Sequence, residues 1–147
     1  MCGIVAVTGY KKALPLLING LEKLEYRGYD SAGIAIINAE TSSISCNKAE
    51  GKLKNLIGNL NNQNIPGTVG IGHTRWATHG KPELKNAHPH TDSSGTIAVV
   101  QNGIIENFQD LKNKLEQEGI VFNSDTDTEV IPHLIQRELN TLSKLDL

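Results

Sequence analysis

The 147-residue sequence predicts one mixed α and β domain, built of layered sheets with helices on the outside. Three observations carry this. Short apolar, β-prone runs alternate with stripes at helical spacing. The element order is strand, helix, paired strands, helix, strands, helix, strand, helix, without the regular βαβ rhythm of a doubly wound sheet. The length suits a single domain over residues 1–147 with a moderate core.

Residues 2–8 (C-G-I-V-A-V-T) read as a buried strand. Over residues 11–24, Leu14, Leu17, Ile18, Leu21 and Leu24 form a helical stripe, with Pro15 tolerable near its start. Tyr26-Arg27-Gly28-Tyr29-Asp30-Ser31 has turn composition. Ala32 to Ile37 is a second strand, and Ser43 to Ala49 is placed to pair with it. Leu53, Leu56, Ile57 and Leu60 mark a short amphipathic helix.

Thr68 to Arg75 reads as a strand, and Trp76 to Thr91 as a polar loop. Thr96 to Gln101 is a further strand, ending in Asn102-Gly103. Phe108, Leu111, Lys112 and Leu115 share one face of a helix that Gly119 terminates. Ile120 to Phe122 reads as a short strand. A last helix follows, with Thr126 and Glu129 at capping-box spacing and Pro132 about a turn in.

Composition excludes several classes. With 14 basic and 16 acidic residues the net charge is -2, and no basic run offers a nucleic-acid surface. No apolar run is long enough to span a membrane, and no signal peptide is evident. The two cysteines, Cys2 and Cys46, make no C-x-x-C pair; this fits a reducing cytoplasm rather than a disulfide framework.

Candidate chemistry sits where apolar runs end. Cys2 directly follows Met1. With Met1 removed it would carry both a thiol and an α-amine, whose ordinary pKa values of about 8.5 and about 8 let the amine take the thiol proton. The alternative is a small strand residue. Asn102-Gly103 reads as a type I′ hairpin turn or as an oxyanion hole. Arg75 is a surface charge or a carboxylate clamp, and Asp127 a helix cap or an ammonium partner. Trp76 is core or lid. His79, His88 and His90 lack supporting ligands at zinc spacing, so no metal is expected. Asp30, Ser31 and His73 would be a serine triad without its G-x-S-x-G elbow, which disfavours it.

Six segments in order then add up: M-C-G-I-V (1–5), E-Y-R-G-Y-D-S-A-G (25–33), G-H-T-R-W-A-T-H-G (72–80), N-A-H-P-H (86–90), N-G-I-I-E-N (102–107) and S-D-T-D-T-E-V (124–130). Together they closely resemble the glutaminase domain of the glutamine–fructose-6-phosphate aminotransferase family. This is the sugar-phosphate branch of the class II, N-terminal-nucleophile glutamine amidotransferases. The resemblance implies an α+β, four-layer αββα sandwich with its C-terminal part missing. It also implies hydrolysis of L-glutamine to glutamate and ammonia through a Cys2 thioester. Asn102 and Gly103 would stabilise the oxyanion. Arg75 would bind the substrate carboxylate and Asp127 its ammonium, with Thr78 and His79 on a closing loop. Trp76 would gate the ammonia path, and Arg27 would lie by the nucleophile. No metal or organic cofactor is implied. The implied partners are the sugar isomerase domain of a longer chain and a second copy in a homodimer, without nucleic acid or membrane. Rival readings are an inactive fragment, a glutamine-binding or assembly module, and a class II amidotransferase with another acceptor. A Met1-retaining form is expected to be inactive.

Overall fold

The computed structural model describes residues 1–61, 63–77 and 81–145. Its main sheet has four antiparallel strands in the order β1-β4-β2-β3. These are β1 (Gly3–Val7), β2 (Ser31–Ile37), β3 (Ile44–Glu50) and β4 (Gly70–Arg75). A second sheet pairs β5 (His90–Thr91) with β6 (Ala98–Val99).

One face of the main sheet is covered by α1 (Ala13–Leu24) and α2 (Leu53–Leu60). Their buried Leu17, Leu21, Leu53 and Leu56 pack with Ala32, Ile34 and Ile36 of β2 into the principal core. Alternation along β2 sends Gly33 to the opposite face. A Cβ there would lie 2.1 Å from the His88 carbonyl oxygen, so glycine is what lets the 86–90 segment lie on the sheet. Beyond the second sheet lie α3 (Phe108–Gln117) and α4 (Val130–Leu145), the latter packed on β5 and β6. The layers therefore run helix, sheet, sheet, helix, as expected from the sequence.

Several elements differ from expectation. β1 is an edge strand, with Ile4 and Ala6 exposed because the short second sheet does not reach over it. Only Ala98–Val99 of the 96–101 run is paired. Residues 120–122 form no strand. They instead leave α3 through a left-handed Gly119 (φ 89°), with the Ile120 N–H donating to the Leu115 carbonyl at 3.0 Å. Within the run expected as a polar loop, Leu84–Asn86 form a 3-10 turn and Asn86 to His90 turn inward and are buried. Pro132 is the third residue of α4, where its missing N–H had no intrahelical partner to lose. The capping box does not form. Glu129 accepts from the Asn123 and Ser124 N–H groups, while Thr126 Oγ1 meets His90 Nε2.

Candidate active site

The register of the main sheet brings the first candidate residues together. Gly3 of β1 pairs with Thr74 of β4, which sets Cys2 beside the end of β4 where Arg75 and Trp76 follow. The Trp76 N–H donates to Cys2 Sγ at 3.2 Å, and the thiol faces the Trp76 carbonyl at 3.5 Å. The nucleophile candidate is thus fixed against the Trp76 backbone, between its N–H and its carbonyl. Trp76 itself is 44% exposed and stands edge-on to Tyr29, ring centroids 5.5 Å apart.

The turn after β4 is pinned by the Y-R-G-Y-D segment. Asp30 Oδ2 accepts from the Ala77 N–H at 2.8 Å, and the Asp30 N–H donates to the Arg75 carbonyl at 3.1 Å. Arg27, in a 3-10 turn (Glu25–Arg27), reaches the N-terminus: its Nη2 lies 3.7 Å from Met1 Sδ.

A cavity of about 220 Å³ opens beside Cys2. Arg75, Trp76, Asn102, Gly103 and Asp127 all line it. Arg75 is only 3% exposed, and its Nη1 donates to the Lys81 carbonyl at 3.2 Å. Burial lowers its pKa, opposed by the nearby Cys2, Asp30 and Asp127 groups. The guanidinium stays charged, so the cavity has a fixed cation on one side. Asp127 is 4% exposed, and its Oδ2 accepts from the Ile105 N–H at 2.7 Å. Its carboxylate thus braces the loop that carries Asn102 and Gly103, while its carbonyl accepts from the Val130 N–H at the start of α4 at 3.3 Å.

That loop is not a hairpin. Neither Asn102 nor Gly103 has the positive φ that a type I′ turn requires, and the chain runs on into α3. Asn102 Nδ2 donates to the Cys2 carbonyl at 3.4 Å, turning the amide toward the nucleophile. Of the predicted site residues, Thr78 and His79 lie outside the described residues.

The triad reading fails on geometry. Ser31 Oγ is buried with no hydrogen-bond partner, Asp30 is engaged with Ala77, and His73 Nε2 meets the Gln101 carbonyl at 3.2 Å. His88 and His90 pack with His73 between the sheets: His73 and His88 stack at 4.3 Å, and His90 meets His88 edge-on at 4.6 Å. Among the described residues no group of three or more metal-ligating side chains is assembled.

Five residues that line the cavity were not among the predicted site residues: His88, Gln101, Ile104, Thr126 and Thr128. The signal for Gln101 was a polar residue closing an apolar run. Thr126 and Thr128 flank Asp127, where cap composition disguised them.

Comparison with known proteins gives this geometry a family. Residues 51–144 match the model of the glutamine amidotransferase domain. A glutamine–fructose-6-phosphate aminotransferase [isomerizing] of Gloeobacter violaceus is 58% identical over 147 residues, covering 99% of this chain and 24% of that one. The enzyme of the same name from Pyrococcus horikoshii is 57% identical over 139 residues, covering 95% and 23%. The chain thus spans about a quarter of the length of these curated relatives. Among solved structures, a glutamine phosphoribosylpyrophosphate amidotransferase from B. subtilis superposes with a TM-score of 0.75 at 30% identity, over 93% of this chain and 29% of that one. An allosteric regulatory enzyme of purine biosynthesis superposes at 0.77 with 31% identity, over 93% and 30%. A thiol at the second residue, beside a cavity flanked by a buried arginine and a buried aspartate, thus sits in a chain that belongs to the glutamine amidotransferase domain family.

Proposed function

We propose that this domain hydrolyses the side-chain amide of L-glutamine and delivers the ammonia to a sugar phosphate, fructose 6-phosphate, in a longer protein. The observation that carries the reading is the convergence of Cys2, Asn102-Gly103, Arg75 and Asp127 on one cavity. The relatives' printed names supply the acceptor.

In this mechanism Arg75 takes the α-carboxylate of glutamine and Asp127 its α-ammonium, so the amide end points at Cys2. Removal of Met1 frees the Cys2 amine, which accepts the thiol proton as Sγ attacks the amide carbon. Asn102 Nδ2 and the Gly103 N–H stabilise the tetrahedral oxyanion. The C–N bond breaks, the amine returns the proton to the departing nitrogen, and ammonia leaves. Water then cleaves the γ-glutamyl thioester to glutamate and free thiol. Trp76, at the cavity mouth, gates the route of ammonia, and Thr78 and His79 close over the substrate. Arg27 supports the N-terminus. The partners are a sugar isomerase domain and a second copy of the full chain, in the cytoplasm.

The test is glutamate release with intact-mass analysis. Met1-free protein should turn over glutamine, and a diazo-ketone glutamine analogue should leave one adduct on Cys2 that glutamine blocks. Met1-retaining protein and Cys2→Ala should release none, because a peptide-bonded nitrogen is no base. Equal turnover with and without Met1 would overturn the mechanism.

A further inference from the structure

The segment that would form the oxyanion hole has almost no regular structure of its own. From Val100 to Ile105 no strand or helix holds it, and Asn102, Gly103 and Ile104 are exposed. An oxyanion hole works only when its donors are held in place before charge develops. Something other than the loop's own backbone must fix it.

Gln101, the residue before Asn102, is gripped at three points. Its carbonyl meets His73 Nε2 at 3.2 Å, its N–H donates to His88 Nδ1 at 3.4 Å, and its Oε1 accepts from Thr128 Oγ1 at 2.7 Å. The three partners come from three different segments. His73 lies on β4, two residues before Arg75. His88 lies on the segment that Gly33 admits onto the sheet. Thr128 follows Asp127. One residue thus ties the oxyanion loop to the two groups expected to hold the substrate's charges.

The chemistry of the grip is specific. A carbonyl only accepts, so His73 must carry its proton on Nε2; a peptide N–H only donates, so His88 Nδ1 must be bare. A bare Nδ1 makes His88 neutral; His73 Nδ1 is buried without a partner, and stacking on His88 at 4.3 Å with a 16° interplanar angle favours the neutral ring there too. Burial drives the His73 pKa down to about 4 and pushes His88 lower still, aided by the neighbouring His73 and His90.

We propose that His73, His88 and Thr128 are positioning residues for the oxyanion hole, acting through Gln101 on Asn102 and Gly103. This rests on the glutamine-hydrolysis reading above. None of the three is assigned contact with the reacting atoms. Their effect is therefore on the rate of the chemical step, while glutamine remains held by Arg75 and Asp127.

The experiment uses Met1-free protein in a Cys46→Ser background, comparing His73→Phe, His73→Gln and Thr128→Val with the unsubstituted protein. Phenylalanine keeps the stacked ring without the donor; glutamine restores an N–H near Nε2; valine keeps the shape of threonine without its hydroxyl. Misplacing the oxyanion donors should lower kcat for glutamine about 10- to 100-fold in His73→Phe and Thr128→Val. The KM should stay within about twofold, and His73→Gln should recover most of the loss. Alkylation of Cys2 by iodoacetamide, which displaces iodide at a saturated carbon and develops no oxyanion, should be unchanged. The proposal is overturned if kcat is unaffected in both variants, if His73→Gln is as slow as His73→Phe, or if Cys2 alkylation falls in parallel. If His73→Phe does not fold, Thr128→Val alone decides. Should the unsubstituted Met1-free protein release no glutamate, the hydrolysis reading itself fails and this proposal falls with it.

Discussion

The two buried charges that flank the cavity make a demand on any ligand. Arg75 and Asp127 are each almost fully withdrawn from water, and under the proposed function the carboxylate of glutamine lies toward the first and its ammonium toward the second. Their roles separate by substitution. Arg75→Lys keeps the charge but loses the planar fork, and the loss of a charge-assisted hydrogen bond of about 1.5–3 kcal/mol predicts a KM for glutamine raised about 10- to 100-fold. Asp127→Asn loses the ammonium partner but keeps an amide oxygen that can still accept from the Ile105 N–H, so KM should rise with little loss of thermal stability. Steady-state glutamate release and a thermal melt check both. A variant whose kcat falls at unchanged KM would place the residue in the chemical step instead of in binding.

Elements set how close these residues come, and here the sequence was only partly legible. The β2–β3 hairpin, α1, α2 and the Gly119 stop on α3 follow from local patterns, because each is decided by neighbours in the chain. Cys2, Arg75, Asn102 and Asp127 stood out for a similar reason: they are chemically able residues at the ends of apolar runs. Gln101 did not, and His73 and His88 stood out only for a serine triad and a metal site that the described residues do not assemble. Their roles arise from contacts between residues 13 and 28 apart, which no local periodicity encodes. The inward turn of the 86–90 segment was also hidden, since a polar run rich in histidine reads as loop until a sheet is found beneath it. Gly33 is the hinge of that arrangement. In Gly33→Ala the new Cβ would lie 2.1 Å from the His88 backbone oxygen, which forces the sheets apart. Overpacking of this kind costs about 1–3 kcal/mol, and a melt should show it together with loss of glutaminase activity. Gly58→Ala is the control: that position in α2 has open space around the would-be Cβ, and replacing a helical glycine should stabilise by about 1 kcal/mol. A Gly33→Ala protein as stable and active as the control would show that the two sheets can yield at no cost.

At the scale of the whole molecule, the layer between the sheets is filled with imidazoles where a core of this kind usually holds aliphatic side chains. His73, His88 and His90 are 0%, 6% and 3% exposed. Burial lowers all three pKa values. The groups facing them add to this: Arg75 beside His73 and His88, and Lys48 of β3 beside His88 and His90, with Glu129 alone opposing at His90. The unfolded chain binds protons on these histidines near pH 6.5, whereas the folded chain refuses them until about pH 4 at His73 and lower at His88. Stability from this source is therefore complete above pH 6.5 and drains away as the pH falls below it. Glu129 works in a later window. Burial raises its pKa, but the nearby His133 and the hydrogen bonds from Asn123 and Ser124 lower it by more, so its contribution is lost only as the pH drops below the ordinary carboxyl range. Moving from pH 7.5 to 5.5 should thus cost up to about 1.4 kcal/mol for each imidazole, about 4 kcal/mol in all, before any carboxylate is titrated. For a domain of this size that is a Tm lowered by roughly 10 °C. Replacing one member with a neutral side chain removes one proton from the balance. His90→Gln, which can still bond Thr126, should shrink the drop by about a third. Differential scanning calorimetry across this range gives the answer directly: a Tm flat down to pH 5 would mean that the histidine layer admits water and takes up its protons without unfolding.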